Sequence, residues 1–358
     1  MAEKYLGEDL IFIISQPRSG STLLQRILAG HPEIQTSAET WLLLHPTYAF
    51  RTSGIDTDYD SRFAAQGVEE FLTNYTDGIE VYDDAIREWA HVIYGNALQK
   101  GEKIYFVDKT PRYFFIIPDL HRLFPKAKFI FLLRNPLAVL SSLLSTYVKG
   151  NWPLLSIFRY DLLHAPKLIL DGIKIVGDDA IVIHYEDLVS APEEHIYKIC
   201  QRLAISYHED MINYSGTPAP IGKFNDPSGI QRHTRPSIES LDKWKMLSNS
   251  PQSLYFAQSY IHNIGDETIN KMGYSLDEVK EFIQHTPESS KLFPWAIAIR
   301  SKKEWTLKEQ YLADKYFSIQ KSGPISGYLH AMKGGIKRAM ALLKVQLTAC
   351  NHHQVRCD

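Results

Sequence analysis

The chain is poor in the features that would settle a class at once. Of its 358 residues only three are cysteine, Cys200, Cys350 and Cys357. Their odd number excludes a fully paired disulfide framework, their spacing fits no metal-binding pattern, and a reducing compartment is expected. There is no excess of either charge: 39 Lys and Arg stand against 41 Asp and Glu, a net of −2. No overall basic field is therefore present to recruit nucleic acid, and partners have to be argued from local sites. Long apolar runs are missing too. The first, in "MAEKYLGEDLIFIIS", is preceded by acids and falls far short of the roughly 20 apolar residues that span a bilayer, so a soluble, cytoplasmic protein is the expectation. No internal repeat or low-complexity tract occurs.

What is present is a set of short apolar runs: "LIFIIS" (10–15), "KIYFV" (103–107), "KFIFLL" (128–133) and "AIVIHY" (180–185). They are apolar almost throughout rather than alternating, as strands covered on both faces are. Segments of helical spacing lie between them, such as Leu23, Leu24, Ile27 and Leu28 ahead of Gly30. The expected fold class is α/β: a P-loop-like, doubly wound parallel sheet of about four to five strands flanked by helices, with a mostly helical C-terminal extension. The expected domain is 1–287, with a helical acceptor-side insertion at 41–101 and a closing loop at 214–236, followed by an extension at 288–358. Ligands of open parallel sheets sit beyond the carboxyl ends of the strands. There the sequence reads "QPRSGST", "DKTP", "RNP" and "EDL", charged at each place where an apolar run stops.

"SQPRSGSTLL" joins the first expected strand to a helix. A nucleoside-triphosphate loop would carry Lys after its last glycine, and here Ser21 follows Gly20. What survives is anion binding by the backbone of Ser19, Gly20, Ser21 and Thr22, their hydroxyls and the Arg18 fork. The plainer reading is a Ser19 or Ser21 helix cap. In "FIFLLRNPLAVLSSLL", Arg134 ends a strand and Ser142 follows eight residues later, about two helical turns, so one phosphate can be gripped from two directions. Taken alone, these would be a surface arginine and a helix serine bonded to its own backbone.

In this order the two elements resemble the 3′-phosphoadenosine-5′-phosphosulfate (PAPS) dependent sulfotransferases, nearest to the branch with protein-tyrosine sulfotransferases and bacterial carbohydrate and natural-product enzymes. "PRSGSTLLQRIL" is similar to that family's 5′-phosphosulfate loop and "RNPLAVLSS" to its 3′-phosphate motif. The likeness runs from about Leu10 to Leu247. It implies PAPS as co-substrate, adenosine 3′,5′-bisphosphate as product, no metal, and a hydroxyl-bearing acceptor. Lys109 of "VDKTPRYF" takes the leaving-group oxygen by that resemblance, and Glu39 of "HPEIQTSAETWLL" the role of general base; Glu39 can equally be a first-turn helix acid. His233 of "QRHTRP" is the rival base. Ser228 and Arg235 resemble positions near the phosphosulfate, and Tyr185 one near the nucleotide. His184 is expected to be a satisfied core histidine.

The acceptor is expected to be a glycan, glycolipid or small natural product. Protein tyrosine and a P-loop kinase-like activity stand as the alternatives. The stretch 325–347 carries Lys333, Lys337, Arg338 and Lys344 without an acid, on an imperfect amphipathic pattern. It reads either as peripheral contact with an anionic membrane or as a helix packed on the domain with a solvated basic face.

Overall fold

The computed structural model describes residues 4–214, 234–284, 292–301 and 304–311, with 332, 336 and 340 singly. Five strands form one parallel sheet: β1 (Leu10–Ser15), β2 (Ile34–Thr36), β3 (Tyr105–Asp108), β4 (Lys128–Leu133) and β5 (Ile181–His184), in the order β2-β3-β1-β4-β5. The four expected runs are all strands. β2 was not expected: its three residues, "IQT", are too short and too polar to stand out, and it forms by pairing with Tyr105, Phe106 and Val107 at the edge.

Both faces of the sheet are covered, as the continuous apolar runs require. One face sets Leu10, Phe12, Ile14, Phe129 and Phe131 against side chains of α3 (Ile79–Gly101), α4 (Ile117–Leu123) and α6 (Ala165–Val176). The other sets Ile11, Ile13, Ile130, Leu132 and Ile183 against α1 (Ser21–Ala29), α7 (Tyr185–Ser190) and α8 (Pro192–Leu203). The stretch 41–101 is helical, in α2 (Ser61–Tyr75) and α3. It is more than an insertion, however, because Ile86, Ala90, Tyr94 and Leu98 of α3 are buried in the sheet's own core.

The chain divides into two compact units. The first comprises 1–139, 161–244 and 264–276 and holds the sheet; the second comprises 140–160, 245–263 and 277–358. The division therefore does not fall at 287. The second unit gathers chain segments far apart in sequence around an aromatic centre, in which the ring centroids of Trp152 and Phe256 are 5.4 Å apart and those of Phe256 and Trp295 5.5 Å. Gln252 adds a two-way bond to the Phe293 backbone, donating from Nε2 to its carbonyl at 2.9 Å and accepting its N–H at 2.7 Å. Among the described residues no helix is long and apolar enough to cross a membrane.

Candidate active site

Because β1 lies between β3 and β4, the segments that leave their carboxyl ends emerge side by side. These carry Arg18, Lys109 and Arg134.

The loop after β1 has the left-handed backbone at two places, Arg18 with φ 72° and Gly20 with φ 93°. Left-handed residues in such a loop are the backbone signature of an anion nest; here the Ser19 N–H is taken by the Gln16 carbonyl at 3.1 Å, which leaves the amides from Gly20 onward. At Gly20 a side chain has no room: a Cβ would lie 2.3 Å from Cδ2 of the Tyr185 ring. Gly20 also stands at the N-cap of α1, where no side chain accepts a cap hydrogen bond. The serine-cap reading is thus not realised, and the helix opens with its amides toward the loop. Ser19 is fully buried, and its Oγ has no partner among the described residues.

Arg134 completes this side. Its guanidinium stacks on the Tyr185 ring, 4.1 Å from the centroid, and its Nη1 donates to the Arg18 carbonyl at 2.9 Å. Its buried Nε has no partner, and among the described residues no carboxylate pairs with it. Burial lowers its pKa from the usual arginine value, with the Arg18 charge acting in the same direction against the nearby Tyr185 and Glu186. A desolvated cation of this kind favours an anionic ligand. The "RNP" that follows β4 has a local explanation: Asn135 Oδ1 accepts the Leu137 N–H at 2.9 Å, and Pro136 opens α5 (Pro136–Leu143). Glu186 fixes the turn by accepting the Asn135 N–H at 3.1 Å and the Tyr274 hydroxyl at 2.8 Å.

Lys109 follows β3 and is 2 % exposed. Its Nζ lies 3.1 Å from Oε1 of Glu39, so the expected general base and the expected leaving-group cation meet within one hydrogen bond. Glu39 is not in a helix but in an irregular stretch between β2 and Leu43. β2 delivers that stretch, with Gln25 of α1 donating to Thr36 Oγ1 at 2.7 Å and to the Ser37 carbonyl at 2.6 Å. Nearby, Arg112 binds Asp161 in a two-pronged pair, at 3.1 Å from Nε to Oδ1 and 2.8 Å from Nη2 to Oδ2. Burial raises the Asp161 pKa; Arg112 opposes this and the charge of Glu39 adds to it.

The remaining sequence-predicted residues fall as follows. Tyr185 is buried under Arg134, with its hydroxyl 2.5 Å from Ser240 Oγ, and its ring closes on Gly20 of the loop. Ser142 is half-buried near the end of α5. Arg235 is exposed and paired with Glu193 of α8 at 2.9 Å, so it is engaged there rather than at the loop. His184 is half-buried and satisfied, with Nε2 2.8 Å from the Met272 carbonyl. Ser228 and His233, and the closing loop except Tyr214 and 234–236, lie outside the described residues. So does the stretch 325–347, apart from the exposed Met332, Ile336 and Met340.

Sequence reasoning missed Asp108, Tyr94, Tyr113 and the Arg112–Asp161 pair. The signal for Asp108 was a lone acid closing an apolar run, immediately before the lysine that drew attention.

The model of the sulfotransferase family matches residues 9–209, more than half of the chain. The chain belongs to the sulfotransferase family. That supports a transferase, as expected. Over 254 residues the chain is 27 % identical to a putative protein-tyrosine sulfotransferase of Caenorhabditis briggsae, covering 66 % of this chain and 81 % of that one. Over 210 residues it is 31 % identical to the nodulation protein NoeE of Sinorhizobium fredii, covering 53 % and 48 %. The chain thus spans most of the first relative but only about half of the second. Among solved structures, a sulfotransferase domain from the curacin biosynthetic pathway superposes with a TM-score of 0.52 at 21 % identity, covering 74 % of this chain and 98 % of that one, a likeness of fold.

Proposed function

We propose that this chain transfers the sulfuryl group of PAPS to an acceptor hydroxyl, releasing adenosine 3′,5′-bisphosphate. The observation that carries the reading is a nest at Arg18–Gly20 with buried polar atoms, Ser19 Oγ and Arg134 Nε, that have no partner among the described residues, at the same carboxyl edge of the sheet as the 3.1 Å Glu39–Lys109 pair. These residues fit a phosphorylated nucleotide by their chemistry.

When bound, PAPS supplies an activated sulfuryl group. Arg18, the amides of Gly20, Ser21 and Thr22 and the hydroxyls of Ser19, Ser21 and Thr22 would hold the phosphosulfate end, and Arg134 the second phosphate, a role that Ser142 shares on the sequence resemblance alone. Glu39 accepts the acceptor's hydroxyl proton as that oxygen bonds to sulfur. Lys109 meets the negative charge that grows on the bridging phosphate oxygen as its bond to sulfur breaks, with transition-state charge spread as in phosphoryl transfer. A sugar hydroxyl is less acidic than a phenol of pKa about 10, so Glu39 must act in concert with leaving-group departure.

A glycan, glycolipid or small natural product is the acceptor we favour. Tyrosine in a protein is supported about as well, by the relatives named protein-tyrosine sulfotransferases. A cytoplasmic setting completes the proposal and rests on sequence alone, with the basic stretch 325–347 either packed on the domain or in contact with an anionic membrane. The test is transfer of label from PAPS across a panel with carbohydrate, small-molecule and tyrosine-peptide arms. Label on one of these hydroxyls is expected. No label on any, together with thermal stabilisation by ATP·Mg²⁺ alone, would overturn the reading in favour of a kinase-like protein.

A further inference from the structure

One carboxylate in the first unit has a place that the proposed chemistry does not use. Asp108 ends β3, is 1 % exposed, and forms no ion pair among the described residues, the adjacent Lys109 being paired with Glu39. Four hydroxyls donate to it instead. Oδ2 receives Thr40 at 2.6 Å, Tyr94 at 2.7 Å and Tyr113 at 3.0 Å, and Oδ1 receives Thr110 at 3.0 Å. A buried carboxylate is tolerated only when its lone pairs are filled in this way.

The donors come from three places: Thr40 beside Glu39, Thr110 and Tyr113 just past Lys109, and Tyr94 on α3. Three of them also hold the backbone that follows Glu39, Thr40 by accepting the Leu42 N–H at 3.2 Å. Thr110 Oγ1 accepts the Trp41 N–H at 3.2 Å, and the Tyr113 hydroxyl accepts the Leu43 N–H at 3.1 Å. Between these bonds Trp41 is in the left-handed region, φ 55°, a conformation that a bulky residue keeps only when its surroundings impose it. The stretch carrying Glu39 has no strand ladder or helix of its own at that point.

We infer that Asp108 is a positioning residue that, through Thr40 and Tyr113, locks the Glu39 stretch to the strand end carrying Lys109. The inference rests on the sulfotransferase reading above. Glu39 and Lys109 lie seventy residues apart in sequence, and the shared carboxylate fixes their spacing before any ligand arrives. A base displaced by about 1 Å loses much of its effect on rate, whereas a nucleotide held by other residues binds as before.

The test compares Thr40→Val, Thr40→Ser and Tyr113→Phe with the wild type, in label transfer from PAPS. Thr40→Val and Tyr113→Phe are expected to lower kcat by about tenfold or more with KM for PAPS unchanged within about twofold, and Thr40→Ser to restore most of the rate. If Thr40→Val does not fold, Tyr113→Phe carries the same readout. Variants that fold and keep kcat within twofold would overturn the inference. So would a KM for PAPS that rises as kcat falls, or a Thr40→Ser enzyme as slow as Thr40→Val. A wild type silent toward every acceptor would instead overturn the sulfotransferase reading, and the inference with it.

Discussion

The two sides of the strand-end crevice are built on opposite rules. Around the β1 loop, buried polar atoms have no partner among the described residues, the backbone is left-handed at two residues, and Arg134 is desolvated with Glu186 near it but in no ion pair among those residues. Around Asp108, four hydroxyls converge on one carboxylate and the neighbouring amides are bonded in turn. Since buried polar groups in a native fold are nearly always satisfied, the first region is the one that the proposed nucleotide would complete, and the second is a finished support. Glu39 and Lys109 stand between them, paired to each other and fixed from the finished side.

The largest effects are expected at that junction. Glu39→Gln should lower the transfer rate by roughly 10²–10⁴-fold and Lys109→Ala by roughly 10²–10³-fold, in initial rates at saturating PAPS. Unchanged transfer by Glu39→Gln would move the general base to another residue, His233 first. On the unfinished side, Gly20→Ala should abolish nucleotide binding and lower the melting temperature, because the new methyl meets the Tyr185 ring at a positive φ. A variant that melts and binds like the wild type would show that the loop is looser than described.

Arg134→Ala is expected to be milder. It should weaken adenosine 3′,5′-bisphosphate by about 10–100-fold, the worth of a lost charged hydrogen bond, and change kcat less; calorimetric titration reads the first and label transfer the second. Undiminished affinity would reduce Arg134 to a prop for the Arg18 carbonyl.

The smallest effect lies outside both regions, at His31. Its Nδ1 accepts the Glu33 N–H at 3.1 Å, and its Nε2 donates to the Ser206 carbonyl at 2.9 Å, so the neutral ring is the one that fits. Burial lowers its pKa, with His208 adding to the shift. Its contribution to stability is therefore complete above the unfolded value of about 6.5 and is lost as pH falls through that value toward the lower folded one. Melting temperature should decline from pH 7.5 to 5.5 in the wild type and less steeply in His31→Gln. Equal slopes would remove His31 as the cause.

The difference between the regions also explains what could be foreseen. The unfinished side was legible because an anion site needs a compact pattern: an apolar run, then "QPRSGST" and a helix, or an apolar run ending in Arg134. Four strands were legible for the same reason, being continuous in apolar character. The finished side was not. Its members Thr40, Tyr94, Asp108, Thr110 and Tyr113 each have an ordinary local role, and only folding brings their hydroxyls to one carboxylate. β2 escaped because three residues at a sheet edge need no strong pattern, and the second unit because Trp152, Phe256 and Trp295 meet only in space.

Titration of the intact protein with adenosine 3′,5′-bisphosphate, and separately with ATP·Mg²⁺, tests most directly that the lysine-free loop is completed by a nucleotide phosphorylated at two places. The bisphosphate is expected to bind the wild type and to bind Arg134→Ala and Gly20→Ala more weakly or not at all, with ATP·Mg²⁺ giving no comparable signal. Binding of ATP·Mg²⁺ with none of the bisphosphate would contradict it.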